Sequence, residues 1–117
     1  MPGTTDQLIE VMEALVAAQQ DARATLATNE ELLRQGIDAL RSGADVQEAL
    51  AATPAGAQRQ VTQEVLDRLM AARHTFRLHV IAACVECGMT PRQIAEEWGM
   101  SRQRVDQFVQ EAKRGPV

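Results

Sequence analysis

Aromatic residues are nearly absent from this chain: they make up 3% of its 117 residues, and tyrosine is missing altogether. Alanine recurs along most of the length instead, and alanine favours helix while burying little surface. A chain of this length folds as one domain, or as a small domain with a helical arm. We therefore expect an all-α homodimer whose helices pack closely or share a core with a second copy.

Long apolar runs are also missing. No stretch of about 18 apolar residues occurs, and the N-terminus lacks the basic and apolar regions of a secretory signal. We therefore expect a cytoplasmic protein with no membrane partner. There is no Gly-rich phosphate loop, no pair of catalytic carboxylates near a histidine and no nucleophile motif. The sequence predicts neither an enzyme nor a bound cofactor.

Cysteine is scarce, since Cys84 and Cys87 are the only two, and their spacing falls inside a helical pattern. On a helix His74 and His79 point about 140° apart and do not complete a metal-ligand set with them. The pair is open to three interpretations: buried reduced thiols, a redox-responsive pair or a metal site. Free cysteine is among the most buried residue types, so we expect buried thiols and no metal.

The first long helical pattern runs from Thr5 to Arg41 and is interrupted only by Gly36. Thr28 and Glu31 have the spacing of a capping box, so one helix and two helices are both open. A narrow seam follows a 3-4 spacing: Leu8, Val11, Leu15, Ala18, Ala22, Thr25 and Leu32. A second set widens the apolar face: Ile9, Met12, Val16, Leu26, Leu33, Ile37 and Leu40. So broad a face suits a helix bundle better than a lone coiled coil.

Short-range signals divide the middle of the chain. Gly43 is the kind of residue that follows a helix C-terminus. Asp45 and Glu48 have capping-box spacing, which predicts a short helix over residues 45–52. The sequence TPAGAQ, residues 53–58, contains proline and glycine and is predicted to be a linker.

A second long helix is predicted from Thr62, a candidate N-cap, to about Cys87, with Gly88 closing it. We therefore divide the chain into a helical arm, residues 1–60, and a C-terminal domain, residues 61–117. The arm is expected to form the dimer. The alternative is that the arm packs on the long helix within a monomer.

Charge is distributed unevenly over a chain whose net charge is -4. Residues 1–60 hold nine acidic and four basic side chains, residues 61–89 hold three of each, and residues 90–117 hold four acidic and five basic. The acidic excess lies in the arm. The net charge is therefore a poor guide to what the C-terminal end contacts.

The C-terminal segment contains a strong helix start. Thr90 precedes Pro91, and Gln93 follows three residues after the threonine, which gives an N-cap, a first-turn proline and a reciprocal cap. The helix is predicted to reach Trp98, and Gly99 is predicted to form a corner with positive φ.

A second short helix follows, over residues 101–112. Ser101 is placed to cap it, and the spacing of Val105, Phe108 and Val109 gives it an apolar inner face.

These two helices carry the features of a helix-turn-helix. Ala95 is small where the helices would cross, Gly99 follows four residues later, Met100 enters the core, and Val105 and Phe108 close the packing. The segment resembles the helix-turn-helix DNA-binding family of bacterial transcription regulators. It is similar to the C-terminal modules of site-specific recombinases and to the promoter-reading region of sigma factors. The resemblance implies a C-terminal tri-helical helix-turn-helix that follows the dimerisation arm.

The resemblance further implies that residues 101–112 form a recognition helix lying in the major groove. Arg102, Gln103, Asp106 and Gln107 are then the candidates for base contact, since arginine suits guanine, glutamine suits adenine and aspartate can accept from cytosine. The candidates for phosphate contact are Thr90, Arg92, Ser101, Arg104, Lys113 and Arg114, with Arg73 and Arg77 as weaker ones.

The predicted function is that of a sequence-specific, double-stranded DNA-binding transcriptional regulator acting as a homodimer. The alternative is a helical module that docks on another protein without reading DNA, because an amphipathic helix carries polar residues merely to stay soluble. Glu96 and Glu97 favour the alternative, since they would repel phosphates if they faced DNA. A small-molecule effector is not identified by the sequence.

Overall fold

The computed structural model describes residues 2–53 and 55–114, and these fold into helices without any strand. The all-α prediction is confirmed. None of the described helices is long and apolar enough to cross a membrane. The five helices are α1 (Pro2–Arg41), α2 (Val46–Ala51), α3 (Ala55–Glu86), α4 (Pro91–Trp98) and α5 (Arg102–Lys113).

The first helical pattern forms one helix rather than two. The hydroxyl of Thr28 donates to the carbonyl of Ala24, 3.2 Å away, so it bonds back within α1 instead of capping a new helix. The helix ends where predicted, because Gly43 adopts a φ of 96° and the amide of Ala44 donates to the carbonyl of Ala39.

The short helix α2 is confirmed, together with its cap. A carboxylate oxygen of Asp45 accepts from the amide of Glu48 at 2.8 Å. Beyond α2, the hydroxyl of Thr53 donates to the carbonyl of Ala49 at 3.0 Å and lies against Gly36 of α1. A Cβ at Gly36 would stand 2.7 Å from that hydroxyl oxygen, so this close approach requires glycine.

The predicted linker over residues 53–58 is wrong for residues 55–58, because α3 already begins at Ala55. Pro54 lies outside the described residues. A single glycine costs a helix only about 1 kcal/mol, which is too little to keep Gly56 out of a helix that has tertiary contacts. Thr62 is therefore not an N-cap. Its hydroxyl instead accepts from the side-chain amide of Asn29, 2.9 Å away.

The chain divides into two compact units. The first unit joins the chain up to Val16 with the chain from Ala71 onward, and the second unit is Ala17–Met70. The first unit has a core of large side chains, and these are Leu78, Ile81, Ile94, Val105 and Phe108.

The second unit buries little. Its buried apolar residues are Ala22, Ala49 and Val65. Large apolar side chains are exposed on all three of its helical segments: Leu26, Leu33, Ile37, Leu40, Val46, Leu50, Val61, Leu66 and Met70.

Candidate nucleic-acid interface

The helix start predicted at Thr90 is confirmed in full. The hydroxyl of Thr90 accepts from the amide of Gln93 at 3.2 Å, and the side-chain oxygen of Gln93 accepts from the amide of Thr90 at 2.9 Å. Pro91 occupies the first turn. This reciprocal cap fixes where α4 begins and therefore how it approaches α5.

The corner between the two helices is a left-handed turn at Gly99, with φ 60° and ψ 35°. The amides of Gly99 and Met100 both donate to the carbonyl of Ala95, the latter at 3.0 Å. A side chain at Gly99 would strain this backbone, because only glycine adopts it without cost. The turn thus sets the angle at which α5 leaves α4.

The inner face of α5 packs against the core. Val105 is 0% exposed and Phe108 is 4% exposed, and Val109 is half-buried against the same core. The hydroxyl oxygen of Ser101 caps α5 by accepting from the amide of Arg104 at 3.1 Å. The buried and exposed faces of α5 are therefore fixed in orientation by packing and by a cap.

The four candidates for base contact on α5, Arg102, Gln103, Asp106 and Gln107, are all solvent-exposed. Gln103 and Gln107 lie on the side of the helix opposite the buried Val105. The geometry offers these donors and acceptors to a partner. Their contact with bases remains a prediction.

The candidates for phosphate contact are exposed as well, but some have partners within the chain. Arg92 pairs with Glu96 at 3.5 Å, and both side chains are well exposed. The guanidinium Nε of Arg114 donates to the carbonyl of Gln110 at 3.5 Å, and Lys113 is exposed. Thr90 and Ser101 use their oxygens as caps, which leaves each hydroxyl hydrogen free to point to a phosphate.

A concavity of about 310 Å³ lies beside α5. On its floor the imidazole Nε2 of His74 lies 2.8 Å from a carboxylate oxygen of Glu111, which ties α5 to α3. The rings of His74 and Phe108 are 5.3 Å apart, and the guanidinium of Arg104 lies 5.7 Å above the Phe108 ring. Sequence reasoning missed this cluster, since 37 residues separate His74 from Glu111 and no short-range pattern joins them.

Positive charge is concentrated on the same side. The pKa of Arg77 is lowered first by burial and then by the positive charges of Arg73 and Arg104. Arg77 is thus close enough to Arg73 and to Arg104 to be repelled by both. Arg73 and Arg77 were the weaker candidates by sequence, yet the fold gathers them with Arg104 from α5, and an anion would relieve the repulsion.

The two cysteines lie at and just beyond the end of α3. Cys84 is half-buried against the core, but Cys87 is exposed, so the prediction of buried thiols is wrong for Cys87. The reason is that α3 ends at Glu86, and Cys87 therefore lies on the terminal turn beyond the core. Burial raises the pKa of the Cys84 thiol, and Cys87 and Glu97 raise it further against a hydrogen bond with Trp98 that lowers it.

The side chain of Trp98, at the end of α4, is 41% exposed, and its ring meets Phe76 edge-on at 6.1 Å. Among the described residues no group of three His, Cys, Asp or Glu side chains is placed to hold a metal ion.

Comparison with known families gives a match for residues 71–116, to the family described as Homeodomain-like domain. No curated protein and no solved structure matches the chain. The matched region covers the last turns of α3, all of α4 and all of α5, which are the helices that form the core and the exposed face described above. Residues 71–116 are thus a helix-turn-helix segment of the homeodomain-like, DNA-binding kind.

Proposed function

We propose that the protein is a transcriptional regulator that reads double-stranded DNA in a sequence-specific manner with α5. The observation that carries this proposal is the orientation of α5, whose Val105 side is fully buried while its opposite side is polar and exposed. In homeodomain-like proteins the third helix enters the major groove. In this chain α5 is the third helix of the matched segment.

The exposed side chains of α5 supply the chemistry for base readout. Arg102 can donate two hydrogen bonds to guanine, and Gln103 and Gln107 can each donate to and accept from adenine. Asp106 can accept from the amino group of cytosine. Each good bidentate pair discriminates against a wrong base by about 1 to 3 kcal/mol.

Phosphate contacts come from both ends of the helix pair. Thr90, Arg92 and Ser101 lie at the starts of α4 and α5. The remaining candidates lie along or beside α5, and these are Arg104, Lys113 and Arg114, with Arg73 and Arg77 on α3. Each neutralised phosphate contributes about -0.9 to the slope of log affinity against log salt, so one module with so few cations binds weakly at cellular salt.

Weak binding by one module is the reason to propose a homodimer. Two modules held together would contact successive major grooves about 34 Å apart and recognise a two-fold site. We assign dimerisation to the arm, residues 1–60, and DNA binding to residues 61–117. The acidic arm would avoid DNA because of its charge. The proposed location is the cytoplasm, where the DNA of a bacterial cell lies.

A second function is supported by one observation on α4. Glu96 and Glu97 are exposed beside the proposed DNA face, and Glu96 partly neutralises Arg92 through their 3.5 Å ion pair. These charges favour a protein partner over a phosphate backbone. The second candidate is therefore a docking module that binds another protein, for example a polymerase-associated one, through the same helices.

Selection of bound duplexes from a random pool tests the two functions. A regulator returns a preferred half-site and a fixed spacing between two halves, whereas a docking module returns no enriched sequence. Gel shifts at two salt concentrations then measure how steeply affinity falls with salt.

Two substitutions refine the test. Gln103→Ala should relax the preference at one base position, while Lys113→Ala should weaken all sequences alike. Gln35 is an exposed glutamine of α1, and Gln35→Ala serves as the control. It should change neither the base preference nor the overall affinity. Unchanged binding in both α5 variants would show that the DNA-contacting face lies elsewhere.

A further inference from the structure

Helix α1 carries two apolar seams, displaced from each other by one residue. In the second unit the first seam is covered: Ala22 is buried, and Thr25, Asn29 and Leu32 are half-buried. Successive residues on a helix are about 100° apart, so the second seam faces a different direction. Its members in this unit are 45% to 62% exposed, and these are Leu26, Leu33, Ile37 and Leu40. A helix with two such seams is the kind found between two neighbours in a bundle.

The exposed seam has the length and composition of a helix-pairing surface. Its apolar members fall on a 3-4 spacing at both ends of the stretch from Ile9 to Leu40, with no apolar member between Val16 and Leu26. Among the apolar members, one heptad position holds isoleucine or valine and the other holds leucine or methionine, an alternation typical of paired helices. The exposed members before the second unit are Ile9, Met12 and Val16.

The charges within the seam identify the neighbour and its direction. Gln19, Arg23 and Glu30 interrupt the seam, and Glu30 also forms an exposed ion pair at 3.8 Å with Arg34 of the same helix. If a second α1 ran parallel, Arg23 would face Arg23 and Glu30 would face Glu30, and both pairs would repel. If the second α1 runs antiparallel, with the midpoint between residues 24 and 25, Arg23 lies one layer from Glu30 of the second copy. Apolar residues then oppose apolar residues toward both ends.

The outer flank of the seam agrees with the antiparallel direction. On this flank Glu13 lies in the first half of α1, whereas Arg34 and Arg41 lie in the second half. An antiparallel pair places the glutamate of each copy near the arginines of the other. A second copy of this chain is therefore complementary in charge to the exposed seam.

Helix α3 supports the same midpoint independently. The hydrogen bond between Asn29 and Thr62 sets the two helices level at these residues, which puts the midpoint of α1 level with residues 66 and 67 of α3. Leu33 shares an open groove of about 340 Å³ with residues 59 and 63, each one position after the covered seam of α3. Leu66 continues that face at the height of the midpoint.

We propose that the second unit binds a second copy through this face, with the two α1 helices antiparallel and with Leu66 meeting Leu66 on the two-fold axis. The four long helical segments then form an antiparallel bundle. Met70, which is 59% exposed, lies one turn from the axis on the same face and is covered as well. This inference rests on the proposed homodimer and adds its surface, direction and register.

A charge-exchange cycle on the full chain tests the inference, with sedimentation equilibrium in the absence of DNA as the readout. Arg23→Glu and Glu30→Arg should each raise the dimer Kd about tenfold or more, since each turns two attractions into two repulsions. The double variant should return to within about threefold of the unmodified chain. Arg68→Glu, on the opposite side of α3, is the matched control and should leave the Kd unchanged.

Cross-linking distinguishes the two directions without relying on charge. Gln19→Cys and Glu30→Cys are made separately on a Cys87→Ser background, then mixed and oxidised. In the antiparallel register these two positions face each other, so only the mixture cross-links efficiently. In a dimer formed by either variant alone, the two equivalent cysteines lie roughly 16 Å apart along the helix axis and do not cross-link.

The outcomes separate this inference from the proposed function. A chain that stays monomeric at high micromolar concentration overturns the inference, and a dimer in which each cysteine variant cross-links with itself overturns the antiparallel register. A dimer unaffected by the charge cycle and by Leu66→Glu overturns the proposed face. DNA binding by the unmodified chain is measured separately by fluorescence anisotropy, and its absence contradicts only the proposed function.

Discussion

The first and second units are both helical, yet they bury very different side chains. The first unit encloses large residues completely, with Ile94 and Val105 both 0% exposed. The second unit encloses Ala22, Ala49 and Val65 and leaves five of its seven leucines exposed. Full burial of a leucine or isoleucine contributes about 1.5 to 3 kcal/mol, and alanine contributes much less. The first unit thus encloses a core of its own, whereas the second exposes large apolar side chains that a partner could cover.

This difference matches the two tasks proposed for the chain. A helix that reads DNA must be held rigidly from behind, so that its exposed side chains keep one orientation. A helix that associates must keep its apolar residues outside until the partner arrives, and contiguous exposed apolar patches commonly mark such interaction sites. The pattern of burial is therefore an indication of function in both units.

The largest expected effect breaks the core of the first unit. Ile94→Ala should lower the free energy of unfolding by about 2 to 5 kcal/mol, because it leaves a cavity at a fully buried site. Leu33→Ala is the counterpart in the second unit, where the side chain is 62% exposed. It should change the free energy of unfolding of the monomeric chain by less than about 0.5 kcal/mol.

Urea unfolding at several protein concentrations measures both variants. If Leu33→Ala lowers the free energy of unfolding by more than this, the loss should depend on protein concentration, because it would come from weaker association between copies. Equal, concentration-independent losses at the two positions would contradict the contrast between the units.

The next effect concerns the close approach of Gly36 to Thr53 in the second unit. Gly36→Ala should lower the free energy of unfolding by about 1 to 3 kcal/mol, because its Cβ would meet the Thr53 hydroxyl at 2.7 Å. Gly56→Ala should instead raise it by up to about 1 kcal/mol, since nothing lies within 4 Å of its Cβ and alanine favours helix.

The same thermal or urea unfolding measurement checks both glycines. Adding Thr53→Ala should restore most of what Gly36→Ala loses, because it removes the hydroxyl. A stabilised Gly36→Ala would mean that α1 and Thr53 are not in close contact.

A smaller effect compares two exposed threonines with opposite roles. Thr90 caps α4, whereas the hydroxyl of Thr28 bonds back to Ala24 in the middle of α1. Thr90→Ala should cost about 1 kcal/mol, and Thr28→Ala should be neutral or stabilising by a few tenths of a kcal/mol. Equal losses in unfolding experiments would argue against the capping box as the element that fixes α4.

The smallest expected effect is a difference between the alkylation rates of the two cysteines. The pKa of the Cys84 thiol is raised, so at a given pH it holds less thiolate than an unperturbed cysteine, and Cys87 is exposed. Cys87 should therefore be alkylated several-fold faster than Cys84 near pH 8, and the gap should narrow as the pH rises. Peptide mass spectrometry after timed alkylation reads out both rates. Faster reaction at Cys84 would contradict its half-buried position.

Features set by neighbours in the sequence were predictable. Thr90 with Gln93, Asp45 with Glu48, and Gly99 each act within a few residues, and the structure confirms all three features. The signals are local because a cap needs only its own first turn. The burial of Val105 and Phe108 on the inner face of α5 was also predictable, because the helical period places residues three apart on the same side.

Features set by distant contacts were not predictable. Thr62 has the residue type of a cap but receives the amide of Asn29 from 33 positions away, and α3 continues through it. The gathering of Arg73 and Arg77 with Arg104 likewise depends on how α5 packs against α3. Residue type states what a side chain can do, while its partner depends on packing that a linear pattern does not contain.

A backbone amide NMR titration with a duplex obtained by selection tests the central claim most directly. The account predicts that chemical shifts move in residues 101–107 and around Arg92, with smaller changes near Arg77, while residues 17–40 keep their positions. Perturbations concentrated in residues 17–40, with α5 unchanged, would contradict the account.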